Sequence, residues 1–180
     1  MTRDQVVQQA REGALELLRR AGIVLTPDEQ ERLEVTDFGL GELERTGLQL
    51  FTYINNERYC AKELVILPRQ TCPEHLHPSV GDDPGKMETF RCRWGRVWLY
   101  VEGAPAAHPG AEVPGGSEEF YTVFHEIELR PGDQHTIPPG TRHWFQGGAD
   151  GAVVSEFSST SRDEYDRFTH PRVVRVAPNG

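Results

Sequence analysis

Apolar positions change rhythm once along this chain of 180 residues. Between Asp4 and Ala21 they recur at three- and four-residue steps, at Val6, Ala10, Ala14, Leu17 and Leu18. That period lines one face of a helix and predicts one over this span, with Gly22 as its stop. "TPDEQERL" predicts a second, short helix. Thr26 is its N-cap, Pro27 its first residue, and acids fill the first turn, where the helix dipole favours them. Glycines then interrupt the chain in "FGLGELERTG". From residue 48 onward the texture is different. "LQLFTYI", "YCAKELVIL", "METFRCRW", "RVWLYVE", "EFYTVFHEIEL", "QHTIPP", "HWFQGG" and "AVVSEFSS" are short and rich in aromatic or β-branched residues. Turn signals divide them: "NNE", "PR", "WG", "RPGD", "PPGT" and "GGADG". Such spacing predicts an antiparallel sandwich or small barrel. "GAPAAHPGAEVPGGSEE", residues 103–119, reads as a surface loop from its Pro and Gly content. No repeat and no second domain stand out. The expected organisation is one domain over 1–180, with a helical extension at 1–47, a barrel at 48–160 and a closing helical turn and tail at 161–180.

Composition narrows the partners. A formal charge of −9 argues against nucleic acid, which is bound by basic residues that neutralise phosphates, and against anionic membranes. No apolar run approaches the roughly 18 residues of a membrane span. The N-terminal helix is polar and amphipathic, without the apolar stretch of a signal peptide. Three cysteines, Cys60, Cys72 and Cys92, form no CxxC pair and give an odd number. A disulfide framework is not expected, and a reducing, cytoplasmic location is.

The chemistry concentrates in "CPEHLHPSVGDDPGKMETFRCRWG", residues 72–95. On a strand, i and i+2 share a face, so His75 and His77 aim the same way. Lys86, Glu88, Phe90 and Cys92 share a face of the following strand by the same parity, and Gly95 is expected to turn a hairpin. Neutral imidazoles offer the nitrogen lone pairs that a divalent metal takes, and Glu88 can complete their set. "GDQHTIPPGTRHWFQG" supplies His143, a fourth ligand from a distant strand. His108, His125, His135 and His170 have no matching partner and are read as ordinary histidines. Cys72 and Cys92 are read as small buried residues rather than ligands.

These two blocks resemble the paired motifs of the cupin superfamily. His75, His77, Glu88 and Gly95 match the first; Gly132, Pro138, Gly140 and His143 match the second. Two departures stand out. Ten residues separate His77 from Glu88, an insertion expected to loop over the site mouth. Arg69 stands where the first motif has its leading Gly, and Gly147 where the second has its closing Asn. The resemblance implies an all-β cupin double-stranded β-helix, a jelly-roll barrel, with short N-terminal helices. At closer range "RYCAKELVILPRQTCPEHLHP", "GKMETFRCRWG", "VWLYVEG", "HEIELRPGDQHTIPPGTRHWFQ" and "GAVVSEFSSTS" are similar to the D-lyxose ketol-isomerase family, over residues 21–172. That family resemblance implies interconversion of D-lyxose with D-xylulose and of D-mannose with D-fructose. It also implies a divalent metal, commonly manganese, and a homodimer.

An aldose–ketose isomerase moves hydrogen between C1 and C2 of an open-chain sugar. Three histidines and a glutamate would leave two positions of an octahedral ion free. Such a donor set suits Mn²⁺, Fe²⁺, Co²⁺, Ni²⁺ or Zn²⁺. Lys86, on the Glu88 face, and Glu156, an acid within the apolar "VVSEFSS", are the candidates for moving protons; the family's Ser-Glu-x-Ser segment supports Glu156. A direct hydride shift would need neither. Glu74, Arg91, Trp98, Tyr100, Trp144, Asp166 and Arg167 are candidate sugar contacts. Two other readings use the same ligands: a cupin oxygenase, and a non-catalytic cupin that binds sugar.

Overall fold

The computed structural model describes residues 1–175, and its two N-terminal helices begin where their caps require. In α1 (Arg3–Arg20) the Thr2 hydroxyl accepts from Gln5 N–H while the Gln5 side chain accepts from Thr2 N–H. In α2 (Pro27–Glu31) Thr26 and Glu29 form the same reciprocal pair. Each box satisfies two amide donors that a helix start leaves orphaned. The apolar face of α1 is buried: Ala14, Leu17 and Leu18 pack on Phe51, Val65 and Val153, which point out of the sheet.

Nine strands follow: β1 (Glu34–Thr36), β2 (Leu48–Asn55), β3 (Cys60–Ile66), β4 (Thr71–Leu76), β5 (Glu88–Val101), β6 (His125–Leu129), β7 (Gln134–Ile137), β8 (His143–Ser158) and β9 (Arg167–Phe168). All pair antiparallel. β8 is the spine, hydrogen-bonded to β3 and β4 along one edge and to β5 along the other. β5 in turn carries β6 and β7, while β1 and β2 extend from β3. Two long strands shared in this way curl the sheet into the expected cupin barrel. Its interior is apolar at one level, with Leu48, Leu50, Leu64, Phe90, Leu99, Phe145 and Val154 in contact.

Three expectations need correction. "WG" and "GGADG" do not divide hairpins; each lies inside one long bent strand, β5 of 14 residues and β8 of 16. Gly95 is therefore a kink, not a hairpin turn. Its partner is Ala152, but Val97 already pairs with Gly147, so residues 148–151 bulge out of the ladder. Gly95 holds φ at 72°, and a Cβ there would meet the Gly151 carbonyl oxygen at 2.1 Å. The kink also changes which residues face inward: Glu88, Phe90 and Cys92 before it, Val97, Leu99 and Val101 after it. The extension at 1–47 contains β1, which pairs with β2. The segment 161–175 contains a 3₁₀ turn at Asp163–Tyr165 and then β9, which joins the sheet beside β4. The rest of the expected tail, 176–180, lies outside the described residues. Arg69, at the motif's glycine position, adopts φ 59°, so the backbone keeps the left-handed bend without the glycine.

Gly95→Ala should destabilise the fold by about 2 kcal/mol or more, since a left-handed L-residue costs about 1–2 kcal/mol before any clash. A urea midpoint equal to that of the parent protein would refute this account of the kink.

Candidate metal centre and active site

Parity and two irregularities bring the histidines together. β4 bulges between Cys72 and His75, so both side chains face the barrel interior and His75 pairs directly with His143 on β8. His77 follows just past the end of β4. His75, His77 and His143 are all buried, with one ring nitrogen of each lying within 4.8 Å of the others. Glu88, at the first position of β5, puts Oε1 3.2 Å from His77 Nε2 and 2.9 Å from His143 Nε2.

The outward nitrogens are all committed. His75 Nδ1 is 2.8 Å from the Pro73 carbonyl, His143 Nδ1 is 2.9 Å from the Thr141 carbonyl, and His77 Nδ1 is 2.6 Å from Asp166 Oδ1. Each oxygen can only accept, so each Nδ1 donates and each Nε2 is left to point inward. His143 Nε2 is buried with no hydrogen bond of acceptable geometry.

Burial and its neighbouring histidines hold the His75 imidazole well below its usual protonation range. For His77, burial works against the charge, yet Glu88 and Asp166 outweigh it and raise its pKa to about 9. Burial likewise opposes ionisation of Glu88, but Lys86 and His77 hold its carboxyl well below the ordinary range.

Lys86 reaches the same interior from the insertion after His77. Its ammonium lies 2.7 Å from Glu88 Oε2 and 2.7 Å from Glu156 Oε1. Burial disfavours the charge, but Glu156 and Glu88 more than compensate, so Lys86 stays protonated far above its usual range. Glu156 faces inward on β8 together with Val154 and is paired across the ladders with Phe90 and with Lys62.

The remaining wall of the cavity comes from residues that the sequence analysis did not single out. Lys62 is buried, donates to Ser161 Oγ at 3.0 Å, and sits 3.4 Å from Asp163. Arg175 contacts Glu34 and lies 3.0 Å from Asp163 Oδ2. Phe38 and Phe168 add apolar surface. The signal for Lys62 was the one that marked Glu156, a charge within an apolar strand, "YCAKELVIL". Asp163 and Arg175 carried no such signal, because their segment has no strand periodicity.

The sugar-contact candidates separate. Asp166 lines the cavity, bonded to His77. Arg91, Trp98, Tyr100, Trp144 and Arg167 do not line it. Arg91 is on the outer face of β5, where it reaches Gln134. Trp98 and Tyr100 fall after the Gly95 kink and turn outward into a second cluster with Trp144, under the loop that carries Tyr121 and Val123. Tyr100 stacks on Trp144 at 4.1 Å, and its hydroxyl donates to Glu126. Arg167 is exposed on β9. Glu74 is buried on the face opposite His75. It accepts from Thr122 N–H, Val123 N–H and the hydroxyls of Thr122 and Thr169. All three cysteines are free and buried; Cys72 lines the cavity, and burial pushes its thiol pKa up, which leaves it inert.

The donor set fits a divalent cation. An ion bound here must displace the His77 proton; with that proton gone, the cavity lining carries four carboxylates, Glu88, Glu156, Asp163 and Asp166, against three cations, Lys62, Lys86 and Arg175. Facing lone pairs and an excess negative charge in a dry interior are costly unless a cation joins them. Three nitrogens with one oxygen donor match Mn²⁺, Fe²⁺, Co²⁺, Ni²⁺ or Zn²⁺.

The barrel and its buried histidine cluster define a cupin. Solved structures agree on the fold: an L-ribose isomerase from Cellulomonas parahominis superposes with a TM-score of 0.77 at 16% identity, covering 96% of this chain and 94% of that one. Sequence comparison is more specific. A family model described as D-lyxose isomerase matches residues 28–178. A D-lyxose ketol-isomerase from Cohnella laeviribosi is 69% identical over 94% of this chain and 93% of its own length. A D-lyxose/D-mannose isomerase from Thermosediminibacter oceani is 58% identical over 98% and 97%. The chain belongs to the D-lyxose isomerase family, and with it to the sugar isomerases.

Asp163 gives a pH prediction. Burial opposes its charge, but Lys62 and Arg175 hold its folded pKa below the usual carboxylate range. A depressed folded pKa adds stability that is fully present above the unfolded value of about 3.9, starts to decline below it, and is lost as pH falls through the lower folded value. Asp163→Asn should therefore be less stable than the parent at pH 7, with the gap closing below about pH 4. Urea midpoints from pH 3 to 7 test this; a gap that stays constant or widens in acid would refute it.

Proposed function

We propose that this protein interconverts D-lyxose and D-xylulose, and D-mannose and D-fructose, on a divalent ion held by His75, His77, Glu88 and His143. The carrying observation is the Glu88–Lys86–Glu156 bridge beside the three histidines, in a chain of the D-lyxose isomerase family. The bound ion supplies Lewis acidity for the sugar carbonyl. Glu156 takes the proton from C2 of the open-chain aldose. The C–H electron pair becomes the C1=C2 bond as the carbonyl pair settles on O1. A proton passes from O2 to O1, and Glu156 returns its proton to C1, giving the ketose. Lys86, held as an ammonium, keeps Glu156 aligned and donates a hydrogen bond to a sugar oxygen. Asp166, in the cavity wall, remains a candidate neighbour of the sugar. The outward positions of Arg91, Trp98, Tyr100 and Arg167 argue against direct sugar contact.

The same reading takes Mn²⁺ as the working ion, a homodimer of single cupin domains as the assembly and the cytoplasm as the location. The free, buried cysteines support a reducing compartment. Among the described residues no helix is long and apolar enough to cross a membrane. An oxygenase or a non-catalytic binder would have no use for a lysine bridging two buried carboxylates.

The first test is NMR of protein stripped of metal, reloaded with Mn²⁺ and mixed with D-lyxose or D-mannose. Ketose should form only with metal; no ketose from either sugar with metal bound would reject the reaction. His77→Ala should lose metal and turnover together, and full turnover with stoichiometric metal would remove His77 from the ligand set. Glu156→Gln should keep the metal and slow turnover by about 10²-fold or more, whereas an unchanged kcat would favour a hydride shift without this base.

A further inference from the structure

His77 is held differently from its two neighbours. His75 and His143 are each oriented by a backbone carbonyl two residues back, Pro73 on β4 and Thr141 just before β8. His77 is oriented by a side chain 89 residues away, the carboxylate of Asp166, and both groups are nearly sealed from solvent. Asp166 belongs to the segment 161–175, which supplies part of the cavity wall and pairs with β4 through β9. That segment is tied to the first histidine block at several other points. Phe168 pairs with His75 across the β4–β9 ladder, its ring 5.2 Å from the imidazole. Thr169 donates its amide to the Glu74 carbonyl and its hydroxyl to the Glu74 carboxylate. Asp163, Asp166, Phe168 and Arg175 from the same segment line the cavity.

We infer that Asp166 is a positioning residue that links metal binding to closure of this C-terminal strap. The inference rests on the metal reading proposed above. The carboxylate fixes the His77 ring and strengthens Nε2 as a donor, so ion affinity depends on the strap being seated. By reciprocity, an ion that fixes His77 holds Asp166, and through it the wall over the cavity, in place. The backbone carbonyls behind His75 and His143 cannot carry this coupling, because each lies two residues from the histidine it orients and outside the strap.

The test compares the parent, Asp166→Asn and Asp166→Ala by three readouts. These are Mn²⁺ affinity by competition with a chelator, the visible spectrum of the Co²⁺-loaded protein, and amide exchange over 161–175 with and without Mn²⁺. In the parent, Mn²⁺ should slow exchange across the strap. Asp166→Ala should weaken Mn²⁺ binding about 10–100-fold, alter the Co²⁺ spectrum, and make strap exchange indifferent to metal. Asp166→Asn, which can still accept from Nδ1, should fall between the two. Thr169→Val separates this role from a general loosening: it should speed strap exchange and lower Mn²⁺ affinity less than Asp166→Ala does, while the Co²⁺ spectrum and the slowing of exchange by metal persist, since Asp166 still reaches His77. Parent-like affinity, spectrum and metal-dependent exchange in Asp166→Ala would overturn the inference while leaving the metal site intact. If Asp166→Ala does not fold, Asp166→Asn with parent-like affinity and spectrum would overturn the claim that the carboxylate charge matters. A parent protein that binds no Mn²⁺ or Co²⁺ would overturn the metal reading itself.

Discussion

Lone pairs facing one another inside a dry barrel are the constraint on which the rest of this structure depends. Three imidazole nitrogens and a carboxylate oxygen converge where solvent cannot satisfy them. Everything behind them holds them there. Two carbonyls and one carboxylate fix the ring tautomers, and a buried lysine stands between Glu88 and Glu156. Glu88 and Asp166 raise the His77 pKa to about 9, so an ion bound here would have to displace a proton.

Much of this was legible in the sequence because it depends on residue type and short spacing. His75, His77, Glu88 and His143 stood out by donor chemistry and by strand parity, and all four converge. Glu156 stood out as a charge in apolar company, and Lys86 by sharing the parity of Glu88. What the sequence hid were changes of parity. A strand pattern read at strict period two fails at each bulge, and here the kink at Gly95 turns Trp98 and Tyr100 from candidate sugar platforms into packing for an outer loop. Glycine before a β-branched run looks the same whether it ends a strand or bends one. The distant contacts were hidden for a different reason. Asp163, Asp166 and Arg175 act through tertiary neighbours up to 141 residues away, and no local periodicity encodes such pairings.

The site is divided between rigid and less rigid parts. His75, His143, Glu88 and Glu156 sit on paired strands, where ladder hydrogen bonds fix their Cβ directions. Lys86 comes from the end of an irregular insertion, and Asp163 and Asp166 from a short turn and strand at the sheet margin. Chemistry that needs fixed geometry is on the strands. The rest of the cavity wall is on segments joined to the barrel by a few bonds.

The spine role of β8 has a consequence for how the chain comes into being. During synthesis β4 emerges early, yet both of its ladder partners, β8 and β9, lie far downstream. β3 and β5 likewise wait for β8 along one whole edge. For most of translation these apolar edges are open to other chains, so a nascent barrel of this topology is more vulnerable to aggregation than a finished one. His75 is on β4 and His143 on β8, so the histidine cluster cannot exist before that spine is laid down. The cluster is therefore a product of the completed barrel and not a seed for it.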